Sequence, residues 1–171
     1  MATNTRDDVI SANFNEAQLE KRCLKGWRVL RSSDLYVPVY RVAMEIEITR
    51  FRRRQRQHGT WLIDTLQPHL CTASERVTLT TRDTRDAITL TPGLSRHDAP
   101  EVAHRALLAQ RFRFLTRPDV VKGAYLDTIY HPFTMVLAER KDRQRLMVLD
   151  QVTGEENLFL KACMHLPKRV R

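Results

Sequence analysis

Tyr40-Arg41-Val42-Ala43-Met44-Glu45-Ile46-Glu47-Ile48-Thr49-Arg50-Phe51 decides the fold class. Tyr40, Val42, Met44, Ile46 and Ile48 alternate with Arg41, Ala43, Glu45, Glu47 and Thr49. At a period of 3.6 residues these apolar side chains scatter round a helix, whereas at a period of two they fall on one face. The stretch therefore reads as a half-buried β-strand. Trp61 to Leu66, after His58-Gly59, reads as its hairpin partner. Further strands follow from β-branched runs at Arg76–Thr81 and Ala87–Leu90, which flank the polar turn 82–86 and predict a second hairpin. Phe133–Glu139 and Arg145–Asp150, about a charged turn at Lys141-Asp142-Arg143, predict a third, and Val152–Glu155 a closing turn.

Helices are signalled by their caps. Asn15 with Gln18 three residues on has the pattern of a capping box, and Gly26 stands where a helix of residues 16–25 would stop. Asp98-Ala99-Pro100-Glu101 combines a cap, an early Pro and an acid in the first turn. It predicts a helix to about Phe112 that buries Val102, Ala103, Ala106 and Leu107. Trp27–Leu30 reads as a short strand ended by a turn at Ser32-Ser33-Asp34. Pro118-Asp119 reads as the start of a short helix over 119–126, broken by Tyr130-His131-Pro132. Leu158–His165 fits helix or strand.

In chain order the expected fold is α+β: a mainly antiparallel sheet or a partly open small β-barrel, with one or two packing helices and terminal extensions. The expected division is an N-terminal arm and short helix at 1–30, an α+β core at 31–157, and a C-terminal element with a basic tail at 158–171. A chain of 171 residues is long enough to bury a core without disulfides or metal. The cysteines Cys23, Cys71 and Cys163 are isolated and odd in number, which suits a reducing compartment. His69-Leu70-Cys71 and Cys163-Met164-His165 lack the C-x2-4-C and H-x3-5-H spacings of structural zinc sites. No apolar leader opens the sequence and no apolar run reaches membrane-spanning length, so an intracellular protein, in cytoplasm or organelle matrix, is expected.

Charge is the strongest functional signal. The 29 basic residues outnumber 20 acidic ones for a net +9, and 23 of the basic residues are Arg. Arg50, Arg52, Arg53, Arg54 and Arg56 fall within seven residues. Guanidinium groups bond phosphate or carboxylate oxygens in pairs and stack on bases, so this run predicts an anion- or nucleic-acid-binding surface. Arg111, Arg113, Lys168, Arg169 and Arg171 are candidate extensions of it. RNA is favoured over DNA because no helix-turn-helix or zinc-finger spacing is present.

Glu45 and Glu47 share a strand face, about 7 Å apart. This stretch resembles the E-x-E-x-K strand of the triphosphate tunnel enzymes, the CYTH family. The resemblance covers Glu45 and Glu47, with Thr49 where the family has Lys and the first basic residue at Arg50. It implies a metal-dependent triphosphate-binding enzyme, with the acids on a divalent cation. No phosphate-cradling Gly-rich loop or nucleophile elbow occurs, and no cofactor is expected. The sequence thus points to a non-enzymatic, Arg-rich subunit of a larger assembly with other protein subunits and RNA, as in a ribosome-like particle. A multiprotein complex without RNA, for example on the soluble face of a membrane assembly, is the alternative.

Overall fold

The computed structural model describes residues 6–50, 53–68, 71–111 and 118–164. It is a sheet-rich α+β fold of strands β1 (Arg6–Ile10), β2 (Arg28–Arg50), β3 (Arg53–Asp64), β4 (Cys71–Ala73), β5 (Leu79–Asp83), β6 (Ile88–Thr89), β7 (Pro118–Arg140) and β8 (Arg143–Asp150). Helices α1 (Glu16–Cys23), α2 (Ala99–Arg111) and α3 (Leu158–Cys163) pack on it, with a single 3-10 turn at Ser74–Arg76. The sheet runs β4-β3-β2-β7-β1-β5, with β6 also on β2 and β8 also on β7. Pairings are antiparallel except β1–β7 and β2–β6, so of the two expected forms the sheet takes the mainly antiparallel one, with a mixed character, and is not closed into a barrel.

The two 23-residue strands β2 and β7 form its axis, paired from Arg28↔Glu139 to Ile48↔Pro118. β3 extends the sheet beside the second half of β2, from Val39↔Asp64 to Arg50↔Arg53. β8 extends it beside the second half of β7, from Phe133↔Asp150 to Arg140↔Arg143. Because β2 and β7 are antiparallel, these additions sit at opposite ends and on opposite edges. The alternation read in Tyr40–Ile46 buries its apolar face under α2: Tyr40, Val42, Met44 and Ile46 pack with Ile63, Ala99, Ala103, Ala106 and Leu107. Full burial of one such aliphatic side chain stabilises by roughly 1.5–3 kcal/mol. At the other end α1 covers Val136, Ala138, Met147 and Leu149 with Leu19 and Leu24, while Leu160 of α3 packs with Leu35, Val37, Phe133 and Val148.

Among the described residues three helices form where one or two were expected, and several local expectations give way to long-range pairing. No turn interrupts β2 at Ser32-Ser33-Asp34. A register shift between Val29 and Arg31 leaves Leu30 as an extra residue, 40% exposed. Residues 119–126 are strand, not helix, and Tyr130-His131-Pro132 runs on within β7. A second shift places Arg41 opposite Asp127 and Val42 opposite Tyr125, so that Leu126 bulges out, 51% exposed. That bulge reverses the alternation of side chains across it. Tyr125 turns toward α2 and meets Tyr40 edge-on at 5.3 Å, while Asp127 turns to the other face and bonds Arg41.

Nor do Leu79–Asp83 and Ile88–Thr89 make the predicted hairpin. β5 pairs with β1 and β6 pairs in parallel with β2. The expected polar arm at 1–14 holds β1, whose Val9 and Ile10 are buried. The Asn15 cap behaves as read: Asn15 Oδ1 accepts from Gln18 N at 2.9 Å and Gln18 Oε1 from Asn15 N at 2.9 Å. Gly26 has φ +79, a backbone shape that glycine adopts without strain. The turn between β7 and β8 holds Lys141 at φ 47 and Asp142 at φ 62, both left-handed, as a two-residue hairpin of matching twist requires. Of the basic tail, residues 165–171 lie outside the described residues.

Asp150 and Gln151, where β8 ends, knot the fold. Gln151 donates from Nε2 to Thr134 Oγ1 at 3.0 Å and to Asp34 Oδ1 at 3.2 Å, and its carbonyl accepts from Asn13 N and Phe14 N. Asp150 Oδ1 accepts from His131 Nε2 at 2.8 Å and from Val152 N at 2.7 Å. Burial pushes the Asp150 carboxyl up, but the His131 bond and the Val152 and Thr153 amides outweigh it and hold the group below its ordinary range. A carboxyl held low when folded contributes stability above its unfolded value, and loses that contribution as pH falls through the lowered value. Unfolding followed by urea titration should therefore show an acid loss of stability below about pH 4. Asp150→Asn, which can still accept from the turn amides, should flatten that loss and cost about 1–2 kcal/mol at neutral pH, and Asp150→Ala should cost more.

Candidate functional site

The described residues of the arginine run belong to regular structure. Arg50 and Arg53 face each other in register across the end of the β2–β3 hairpin, so Arg53, Arg54 and Arg56 occupy the first part of a strand. Strand alternation divides them. Arg54, Arg56 and His58 share one face of the hairpin, and Arg53, Gln55 and Gln57 lie on the other, which further along carries Trp61 and packs under α2. Residues 53–58 are exposed on both faces. Arg50 and Arg111 are placed by backbone alone, as the last residues of β2 and α2. Arg52, Arg113, Lys168, Arg169 and Arg171 lie outside the described residues. Of the candidate anion-binding set, then, Arg53, Arg54 and Arg56 are placed as neighbours with described side chains.

Register sets the partners of Arg54 and Arg56. Glu47 stands opposite Arg56, and Glu45 opposite His58. Arg56 Nη1 lies 3.2 Å from Glu45 Oε1 and its Nε 3.5 Å from Glu47 Oε2, while Arg54 Nη1 lies 3.5 Å from Glu47 Oε1. The carboxylates are about one-fifth exposed and the Arg54 and Arg56 side chains 78% and 61% exposed, so the acids form a base from which the guanidinium groups project. The two acids of the E-x-E resemblance are thus engaged with arginines, on an open sheet face and not inside a tunnel.

The face that carries them is left open by the packing. Ile10, Val39, Leu62 and Ile129 are covered there, together with Val77, Leu79 and Val152. Beyond that cover, toward the hairpin end, small side chains at Ala43, Thr60 and Ala124 line an open groove of about 760 Å³. Its polar lining comes from Glu45, His58 and Lys122 on neighbouring strands and from Ser74 and Glu75 on the 3-10 turn. Glu45 is in register with His58 on one side and Lys122 on the other, making a row across three strands. Among the side chains described at this end of the face, Glu45, Glu47 and Glu75 stand with Arg54, Arg56 and Lys122. Lys122, Ser74 and Glu75 join the site through pairings that no local pattern announces. Gly59 is needed on the reverse face, where an added Cβ would lie 2.6 Å from Trp61 Cη2.

Among the described residues no group of three or more His, Cys, Asp or Glu side chains is placed to hold a metal ion, and no helix is long and apolar enough to cross a membrane. No protein-family model, curated protein or solved structure matches the chain. Exposed ion pairs contribute up to about 1 kcal/mol each. Replacing both acids, as Glu45→Gln with Glu47→Gln, should therefore leave the denaturation midpoint nearly unchanged. It should also release Arg54 and Arg56 to solvent, and the variant should elute from a heparin column at higher salt than the parent.

Proposed function

We propose that this chain is a non-enzymatic interaction subunit of a larger assembly, which it joins through the arginine-bearing end of the β2–β3 hairpin. The observation that carries this reading is the array itself. Arg53, Arg54 and Arg56 stand exposed on a regular strand, and Arg54 and Arg56 are propped from behind by Glu47 and Glu45. A guanidinium already restrained by a carboxylate loses less rotamer freedom when it meets a second anion, so the array is preorganised for docking. The mixture of acids and bases on the groove face favours a protein partner that brings discrete carboxylates at strand spacing. A second reading, an RNA-containing and ribosome-like assembly, draws on the preference of arginine for phosphate and on the net charge of +9.

Purification of the tagged chain from its native cells, with and without ribonuclease, separates the two. Partner proteins should stay bound after ribonuclease and leave as salt is raised. Joint substitution Arg53→Ala, Arg54→Ala and Arg56→Ala should weaken their retention on the order of tenfold, from a few tenths of a kcal/mol per exposed charge. Loss of the partners on ribonuclease treatment alone transfers the role to RNA. Full retention by the triple variant would remove the hairpin end from the interface.

A further inference from the structure

β4 accompanies β3 for three residues, from Ile63↔Cys71 to Trp61↔Ala73, and the chain then leaves the sheet through the 3-10 turn at Ser74. Continued in line, β4 would have run beside Thr60 and onward to Arg53. From Arg53 to Thr60, β3 pairs with β2 on one side and with no strand among the described residues on the other. Such an edge presents a row of main-chain N–H and C=O groups in the spacing that another strand completes.

We propose that this edge takes up an extended, acidic segment of a partner protein as an added strand in the line of β4. The inference rests on the interaction-subunit reading and names its mode and chemistry. Charge selects the occupant. Arg54 and Arg56 flank the edge on one face and Arg53 on the other. A guanidinium carries five N–H donors, and the contacts to Glu45 and Glu47 engage one nitrogen of Arg54 and two of Arg56, so donors remain on both groups for an incoming carboxylate. A second copy of the chain is the wrong occupant. Edge-to-edge pairing of β3 with itself sets arginine against arginine, and like charges directly opposite destabilise a sheet. Acids at alternate positions of the added strand would meet Arg54 and Arg56. The groove at the Thr60 end offers room for side chains beside Glu75 and favours a basic or neutral residue there.

The probe is a capped peptide of alternating Glu and Thr, as long as the free edge, titrated into the full chain by fluorescence anisotropy. It should bind at low salt, and Arg54→Ala with Arg56→Ala should weaken it by about three- to fivefold. Because alternate amides of an added strand point toward the edge, N-methylation of the peptide in one phase should abolish binding and in the other phase leave it intact. Equal tolerance of both phases reduces the effect to diffuse attraction and overturns the proposal, as does equal binding of a Lys and Thr peptide. Binding of an oligouridylate but not of the peptide, or self-association in sedimentation without peptide binding, would assign the edge to RNA or to a second copy and overturn it too. Peptide failure alongside partner loss in the triple arginine variant removes strand addition and leaves the interaction reading standing. Peptide binding alongside full partner retention does the reverse.

Discussion

Strands β2 and β7 hold each other from Arg28↔Glu139 to Ile48↔Pro118, and every other layer takes its place from that seam. β3 and β8 extend it at opposite ends, α2 seals one face of one end, and α1 and α3 seal the two faces of the other. Two long strands cannot stay in register over such a length while both faces change cover along the way, because strand alternation fixes each side chain to one face. The bulges at Leu30 and Leu126 resolve the conflict by exposing one leucine each. Downstream of them the alternation resumes with the opposite facing, which is how Tyr125 reaches the α2 core while Asp127 reaches Arg41.

The same bulges explain which parts of the fold can be read locally. Tyr40–Ile48 keeps strict alternation and is legible at once, as is the hairpin about Lys141-Asp142, with short-range pairing on both sides. Helix starts are legible where a cap stores the signal in a few adjacent residues, as at Asn15. Asp119–Leu126 misleads because the shift at Leu126 and a further one, between the partners of Glu45 and Ile46, break its period, and a Pro-Asp start then reads as a helix. Leu79–Asp83 and Ile88–Thr89 are recognisable as strands but not as partners of β1 and β2, since only tertiary packing chooses between a neighbour in sequence and a strand far away. Arg6–Ile10 is too short and too polar to stand out, and it becomes a strand because β5 and β7 lie ready on either side.

For the candidate site, sequence discloses the arginines and the E-x-E pair but not their relation. Eleven residues separate Glu45 from Arg56, and only the hairpin register brings them to 3.2 Å. Once paired, a run that looks like a free cationic loop becomes one edge of a face of mixed charge, with the arginines outermost. Lys122, Ser74 and Glu75 arrive from elements whose positions depend on the central seam and on the abrupt end of β4, and so have no local signature.

The seam also has a consequence in time. The β2–β3 and β7–β8 hairpins each pair residues that lie close in sequence, so each can form soon after its own residues are available. Their union has to bring residues 28–48 together with 118–139 and waits on most of the chain. Long-range closure of that kind is slow, and until it happens Val42, Ile46 and Val136 have no β2–β7 partner to shield them. The molecule should therefore assemble as two early hairpins zipped late, with the arginine-bearing tip complete well before the fold that presents it.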